Sequence, residues 1–331
     1  MRLENLLALT GAKLVNNPCV NNFEGIIFDA NKIKRGDLYV AYDIAEVNIA
    51  VQNGAYGILY DTQLSVTDEE IAWIKVLDVD LALEKLLRFK LIENDTIAYE
   101  CDEIVLKLAL QINTNKNFLV VNEKSIRTFR QLWNIEPRTI ILFCPALYKA
   151  NVFAYIKKIY TDSKKHIDII EQTLFETSFI YNNKYYERQL ISPFFIPYLE
   201  TLFHLYDTLN INFKLNKFTS IDNFEAIFTN KNLEIKDFGA SDKVLIFEKN
   251  SSLIDKEISF LQKNASWANI IYLVPNSVHL QNNTNAFSYT KEKDIMDILK
   301  REKFHFALVV GVDKSILNTQ IQTQEQLLFD I

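Results

Sequence analysis

The residues of this chain with chemical potential are paired carboxylates, clustered lysines, four histidines and three cysteines. Acids stand close together at Asp68-Glu69-Glu70, Asp78/Asp80 and Asp102-Glu103. Such pairs do acid–base work or hold a cation when a fold faces them into one cavity. At the start of a helix they instead complement the positive end of its dipole. The first group is expected at a helix N-terminus, and Asp78/Asp80 at the flank of a strand end. Lys157-Lys158 and Lys164-Lys165-His166 form a basic patch expected on a solvated face. His166, His204, His279 and His305 are spaced too widely for any linear motif. Cys19, Cys101 and Cys144 make no C-x-x-C pair, which excludes a zinc knuckle or disulfide framework and leaves reduced thiols.

Absent motifs narrow the chemistry further. The chain has 7 glycines in 331 residues and contains neither G-x-x-x-x-G-K-[ST] nor G-x-G-x-x-G, so no standard glycine-rich phosphate cradle is encoded. H-E-x-x-H and G-x-S-x-G are missing as well. A formal net charge of −6 argues against a whole-protein nucleic-acid binder. With 49% hydrophobic residues the chain can build a sizeable core. Its longest apolar run, near 140–144, is far below the roughly 20 residues of a membrane span. Glu4 stands where a signal peptide requires only positive charge. A cytoplasmic protein with no metal or cofactor is expected.

The elements that must position these groups alternate strand and helix. Gly25-Ile26-Ile27-Phe28 and Leu38-Tyr39-Val40-Ala41 read as short strands separated by polar turns. Residues 44–52 carry a helical apolar face that Gly54 ends, and residues 56–60 form the next strand. Helices are expected at 81–91, 103–111, 125–133, 146–159, 255–264 and 291–301. Buried strands are expected at 118–122, 139–144, 244–247, 270–274 and 306–310. This is an α/β pattern of parallel strands, doubly wound through the middle and end of the chain. Residues 173–190, with Asn182-Asn183 between two strand-like runs, read as a hairpin. The apolar run Phe194-Phe195-Ile196-Pro197-Tyr198 is expected in a core or interface.

Between Phe23 and Thr62 the order of motifs resembles the N-terminal domain of the Mur ligases, which add amino acids to UDP-N-acetylmuramoyl-peptides. Asp29, Gly36, Asp37, Leu38, Val40, Ala41, Gly54 and Ala55 match that family's strand, Gly-Asp-Leu-aromatic-Val-Ala string and helix end. Ala30 and Asn31 replace the family's Ser/Thr and Arg, and the Asp-Gly-His loop before the helix is deleted. Further matches follow in order. The run Asp80-Leu-Ala-Leu-Glu-Lys-Leu-Leu-Arg is similar to the helix leading into the ATP-binding domain, and Phe175-Glu-Thr-Ser-Phe-Ile-Tyr to a Thr-Ser-Phe strand. Phe194, Ile196 and Pro197 occupy the Gly, His and Asn positions of a nucleotide motif, and Lys217-Phe218 follows an Arg-Met/Phe pattern. Val244-Leu-Ile-Phe-Glu-Lys-Asn-Ser-Ser resembles a ligase strand and loop of which Asn250 keeps one Asn.

The ATP loop is expected at Thr96-Ile-Ala-Tyr-Glu-Cys-Asp-Glu, where every glycine, the lysine and the threonines of the family motif are gone. Glu100, Asp102 and Glu103 bring negative charge to the triphosphate position, and each like-charge contact costs about 1–4 kcal/mol. The resemblance implies a Mur-ligase-like N-terminal α/β domain (1–78), a degenerate central domain with a mostly parallel sheet and a hairpin insertion (79–236), and a short C-terminal α/β domain (237–331). It further implies a non-catalytic peptidoglycan-synthesis protein, without ATP, that binds a UDP-muramoyl-peptide or a wall-synthesis partner. The alternative is an enzyme of altered chemistry on a UDP-sugar held near Asp29, Asn31, Lys32, Arg35 and Asp37, with Lys32 or Arg35 on a diphosphate. The last eight residues, from Gln324 to Ile331, are loosely similar to a Gln-Leu-aromatic docking peptide. A terminal helix packing Leu327, Leu328 and Phe329 is the competing reading.

Overall fold

The computed structural model describes residues 1–159, 166–215, 217–278, 280 and 285–317. The chain divides into two compact units, Met1–Leu106 with Thr114–Tyr160 and Lys107–Asn113 with Thr161–Ile331. His279, Lys164, Lys165 and the tail residues 324–331 lie outside the described residues.

The first unit opens with α1 (Leu3–Thr10), β1 (Lys13–Leu14), β2 (Ile26–Ile27), β3 (Leu38–Val40), α2 (Val47–Gln52), β4 (Gly57–Tyr60) and β5 (Ala72–Lys75). These strands form one sheet in the order β1-β5-β4-β3-β2, parallel except for the edge strand β1. Every residue of β3 and β4 is buried, as expected for parallel strands covered on both faces. Gly57 is required in β4, because a Cβ there would lie 2.6 Å from the Phe23 ring. Gly54, at φ +94°, ends the α2 region in the left-handed conformation that glycine adopts without strain.

A second sheet follows. It is built from α3 (Val79–Glu93), β6 (Ile97–Glu100), α4 (Glu103–Ile112, whose residues divide between the units), β7 (Phe118–Val121), α5 (Ile126–Trp133), β8 (Ile140–Phe143) and β9 (Ile156–Lys158). The order is β7-β8-β6-β9, all parallel. The chain leaves β6 for strands on one side and returns for β9 on the other, the reversal that defines a switch point in doubly wound sheets.

In the second unit β10 (Asp168–Gln172), β11 (Thr177–Tyr181) and β12 (Lys184–Gln189) form an antiparallel sheet. Asn182 and Asn183 turn β11 into β12 with φ of 49° and 59°, the double positive φ of a tight hairpin turn. There follow α6 (Ile196–Thr208), β13 (Glu225–Thr229), β14 (Lys243–Glu248), α7 (Ile254–Asn264), β15 (Ile270–Pro275), β16 (Ala286–Tyr289), α8 (Glu292–Arg301) and β17 (Phe306–Val310). The last sheet runs β13-β14-β17-β15-β16, parallel apart from β13.

Three local expectations change. Asp68-Glu69-Glu70 precede β5 and start no helix; Asp68 Oδ1 accepts from the Glu70 N–H at 2.9 Å, a side-chain turn that competes with helix. Asp78 and Asp80 do not flank a strand end. Asp78 caps α3, its Oδ1 accepting from Leu81 N–H at 2.7 Å, and Asp80 lies in the first turn. Residues 146–159 hold a 3-10 turn (Ala150–Val152) and β9 rather than a helix. Their apolar spacing is short enough to satisfy either period.

Candidate functional site

A cavity of about 490 Å³ opens in the first unit at the carboxyl ends of its parallel strands. Phe28 follows β2, Tyr39 lies in β3, and Tyr42, Asp43 and Glu46 follow it. Asp80, Leu83, Glu84 and Leu87 come from α3. Lys124, Ser125, Ile126 and Phe129 come from the β7–α5 connection and α5, and Tyr148 follows β8. Ligands of open α/β sheets bind outside these strand ends, so the location alone marks a candidate site. Helix α3 is held in place because Val79, Ala82 and Leu86 are buried with the sheet core, while Leu83 and Leu87, also buried, border the cavity.

Polar contacts fix the cavity wall. The Tyr42 hydroxyl donates to Asp80 Oδ1 at 2.5 Å, and the Tyr39 hydroxyl to Glu46 Oε2 at 3.2 Å. Burial, then the neighbouring carboxylates, raise both phenols above their usual range. Burial pushes the Tyr148 hydroxyl up to about 12. Lys124 Nζ lies 3.0 Å from Asp80 Oδ2 and 3.4 Å from Glu84 Oε1, while Lys149 reaches Glu84 at 2.8 Å. The Tyr42 hydrogen bond, then that from Lys124, hold the Asp80 carboxyl below the usual carboxylate range. Phe28 stacks on Tyr42 at 6.2 Å and meets Phe129 edge-on at 5.3 Å.

The five residues expected to bind substrate lie on the chain just past Phe28, and none of them lines this cavity. Asp29 caps the 3-10 turn Ala30–Lys32, accepting from Asn31 N–H at 3.1 Å, and pairs with Lys32 at 3.0 Å. The Lys32 hydrogen bond draws the Asp29 carboxyl below its usual range. Arg35 turns away to donate from Nε to the Tyr56 hydroxyl at 3.1 Å. Asp37 is buried, and its Oδ2 accepts from Lys34 N–H at 2.9 Å. Asp29, Asn31 and Lys32 therefore share one turn, whereas Arg35 and Asp37 hold the next turn in shape.

At the switch point β6 ends at Glu100 and α4 begins at Glu103, so only Cys101 and Asp102 connect them. Cys101 Sγ contacts the Phe143 carbonyl at 3.4 Å, and burial raises its thiol far above the reactive range. Burial raises Cys144 as well.

The second unit places Thr177 and Ser178 in β11 as buried structural groups, donating to the Ile191 carbonyl at 2.7 Å and accepting from Arg188 N–H at 3.0 Å. Phe194 is buried against Phe224 and Phe260, with ring centroids at 5.2 and 5.6 Å. Asn250 caps a 3-10 turn by accepting from Ser252 N–H at 3.0 Å. Another cavity of about 400 Å³, lined by Phe175, Phe195, Phe218, Phe224, Phe228 and Phe238 among others, lies in this unit. His166 and His204, far apart in sequence, come together with ring centroids 5.8 Å apart. No group of three or more potential metal ligands exists among the described residues.

Sequence reasoning passed over Tyr42, Glu46, Lys124 and Tyr148. A signal was available: in parallel α/β folds the residues just past each strand are the ones that face a ligand, and Tyr42-Asp43 stand just past β3.

No protein-family profile matches the chain, and no curated protein matches it in sequence. Solved structures do. MurF from Acinetobacter baumannii superposes with a TM-score of 0.53 at 9% identity, covering 98% of each chain. A UDP-N-acetylmuramoylalanyl-D-glutamyl-2,6-diaminopimelate–D-alanyl-D-alanyl ligase from the same organism gives 0.50 at 10% identity, again over 98% of each. MurF ligase from Thermotoga maritima in complex with ADP gives 0.50 at 9% identity over 93% of this chain and 98% of that one. At such identities the likeness speaks for architecture: this chain has the mixed α/β, parallel-sheet fold of the Mur ligases.

Proposed function

We propose that this protein is a Mur-ligase-fold protein of peptidoglycan synthesis that works by binding, as a receptor for a wall precursor or a scaffold for a partner enzyme, and not by ATP-driven ligation. The observation that carries the proposal is the β6–α4 connection. A phosphate cradle needs a loop of free N–H donors, glycines that admit the anion, and a lysine. Here the connection is two residues long, without glycine or lysine, and is flanked by Glu100 and Glu103. Acyl-phosphate chemistry needs positive charge around the transferred phosphoryl group, and these residues supply the opposite. The solved ligases of the same fold support the link to wall synthesis. Among the described residues no helix is long and apolar enough to cross a membrane, which accords with a cytoplasmic site of action. The three-part division at 1–78, 79–236 and 237–331 belongs to this reading.

The alternative, an enzyme of altered chemistry on a UDP-sugar, rests on the turn carrying Asp29, Asn31 and Lys32, whose Lys32 side chain is 69% exposed and would exchange its Asp29 partner for a diphosphate. Thermal melting with ATP-Mg²⁺, UDP and UDP-N-acetylmuramoyl-peptides separates the two. Saturation at 100 times the dissociation constant stabilises a fold by about 2.7 kcal/mol. The binding protein shifts with the muramoyl-peptide or with neither nucleotide and co-purifies with a wall-synthesis protein. A shift with ATP-Mg²⁺ overturns the proposal. A UDP-sugar shift that Lys32→Ala or Asp29→Ala removes favours the alternative.

A further inference from the structure

The cavity of the first unit carries a charge pattern that the fold's wall-synthesis reading does not anticipate. Four carboxylates line it, those of Asp43, Glu46, Asp80 and Glu84, against a single lining cation, Lys124. Lys124 and Lys149 are spent on Asp80 and Glu84. Asp43 and Glu46 have no cationic partner among the described residues. Asp43 Oδ1 accepts from Ala45 N–H at 2.9 Å, and Glu46 Oε2 accepts from the Tyr39 hydroxyl at 3.2 Å. The second unit's cavity differs: there Glu176 pairs with Arg188 and Glu225 with Lys314, so each lining charge is answered.

The remaining lining is aromatic and aliphatic: Phe28, Tyr39, Tyr42, Phe129 and Tyr148 with Leu83 and Leu87. Aromatic faces attract cations and repel anions through the ring quadrupole, and the attraction grows as water is excluded. A nucleotide diphosphate would enter a field of two unanswered carboxylates and π-faces. A bare metal ion finds too few ligands and too much room, since a volume near 490 Å³ suits a molecule of many heavy atoms.

We propose that this cavity binds an organic cation, a primary ammonium carried on an apolar body. Asp43 and Glu46 are its counter-charges, and Tyr42, Phe129 and Tyr148 are its walls, since the Phe28 ring already carries the Arg130 guanidinium at 5.6 Å. The amine site does not depend on the wall-synthesis reading, because it follows from the lining of the cavity alone; a protein that fails every wall-precursor test can still pass this one.

The test is calorimetric or NMR titration of the full chain with three probes of one shape: phenethylammonium, 2-phenylethanol and 3-phenylpropanoate. The ammonium is expected to bind about tenfold tighter than the alcohol, with the carboxylate weakest. The preference should shrink several-fold on raising salt to about 0.5 M, as screening requires. In the double variant Asp43→Asn, Glu46→Gln the ammonium and the alcohol should bind alike. Asn still caps the 3-10 turn and Gln still accepts from Tyr39, so the fold is preserved; the salt dependence of the unmodified protein tests the same point without any variant. Acetyl-lysine-N-methylamide against its norleucine counterpart tells a free amine from a lysine side chain as the natural source, and either one binding through its ammonium supports the proposal. Equal affinity for ammonium and alcohol, tighter binding of the carboxylate, or no binding of any probe overturns it.

Discussion

Each unit of this chain holds its own cluster of carboxylates, and the two clusters live in opposite surroundings. In the first unit Asp43, Glu46, Asp80 and Glu84 line a water-accessible cavity, where lysines answer two of them. In the second, Glu248 and Glu257 are wholly sealed from solvent between β14 and α7. Three donors converge on Glu248: Asn223 Nδ2 at 3.0 Å, the Phe224 N–H at 3.0 Å and the Asn250 N–H at 2.6 Å. Both Glu257 oxygens lack a donor among the described residues. Burial, then the adjacent Glu248 carboxylate, push the Glu257 acid up to about 10, so it is protonated at neutral pH. The same side chain thus serves as a charge offered to a ligand in one place and as a neutral internal group in the other. Solvent access, not residue type, decides which.

That contrast can be broken most severely at Glu248. Glu248→Ala would strand two buried donors and one partly buried donor and should lower unfolding free energy by about 3–5 kcal/mol in urea denaturation. A loss below about 1 kcal/mol would mean water reaches the site and the sealed half of the comparison is wrong. Next comes Glu257. Because its folded-state pKa lies above the ordinary 4.5, the folded protein holds the proton that the unfolded chain releases. Stability should therefore fall as pH rises from about 4.5 towards 10, by up to about 1.4 kcal/mol per pH unit. Glu257→Gln should flatten that slope and stabilise the protein by on the order of 2 kcal/mol near pH 8, read from denaturation midpoints across pH.

The open cluster should respond far less. Tyr42→Phe removes the hydroxyl that donates to Asp80, costing about 0.5–1 kcal/mol, and the Asp80 carboxyl should titrate at higher pH in an NMR experiment. An unmoved Asp80 would show that Lys124 alone sets its charge. Lys124→Ala should change stability by less than about 1 kcal/mol, since the ammonium is half exposed, while tightening phenethylammonium binding in calorimetry.

Much of this architecture is legible in the residues. Continuous apolar runs such as those of β14, β15 and β17 announce buried parallel strands, and Asn182-Asn183 announce the hairpin. Within the aromatic run, expected in a core or interface, Phe194, Phe195 and Ile196 are buried while Pro197 is exposed. The cavity is harder to foresee. Its lining comes from segments between Phe28 and Tyr148, and only the pairing of strands brings Glu46, Asp80 and Lys124 to one wall. The residues taken from family motifs, Asp29, Asn31, Lys32, Arg35 and Asp37, stand on neighbouring turns outside this lining, because a matched string locates a loop and not the direction of its side chains. His166 and His204 show the same limit, being neighbours only in three dimensions. Glu257 was within reach: Ile254, Glu257, Ile258 and Leu261 fall on one helical stripe, so an acid stands where the period demands an apolar residue.

The second sheet of the first unit ends, among the described strands, on β9, whose three residues are all exposed. An open strand edge offers unpaired N–H and C=O groups to any passing chain, and Ile156 adds an apolar invitation. Lys157 and Lys158 occupy that edge. Two adjacent ammonium groups on such an edge repel their counterparts on a second copy, so the basic pair expected on a solvated face disfavours edge-to-edge pairing of this strand with itself.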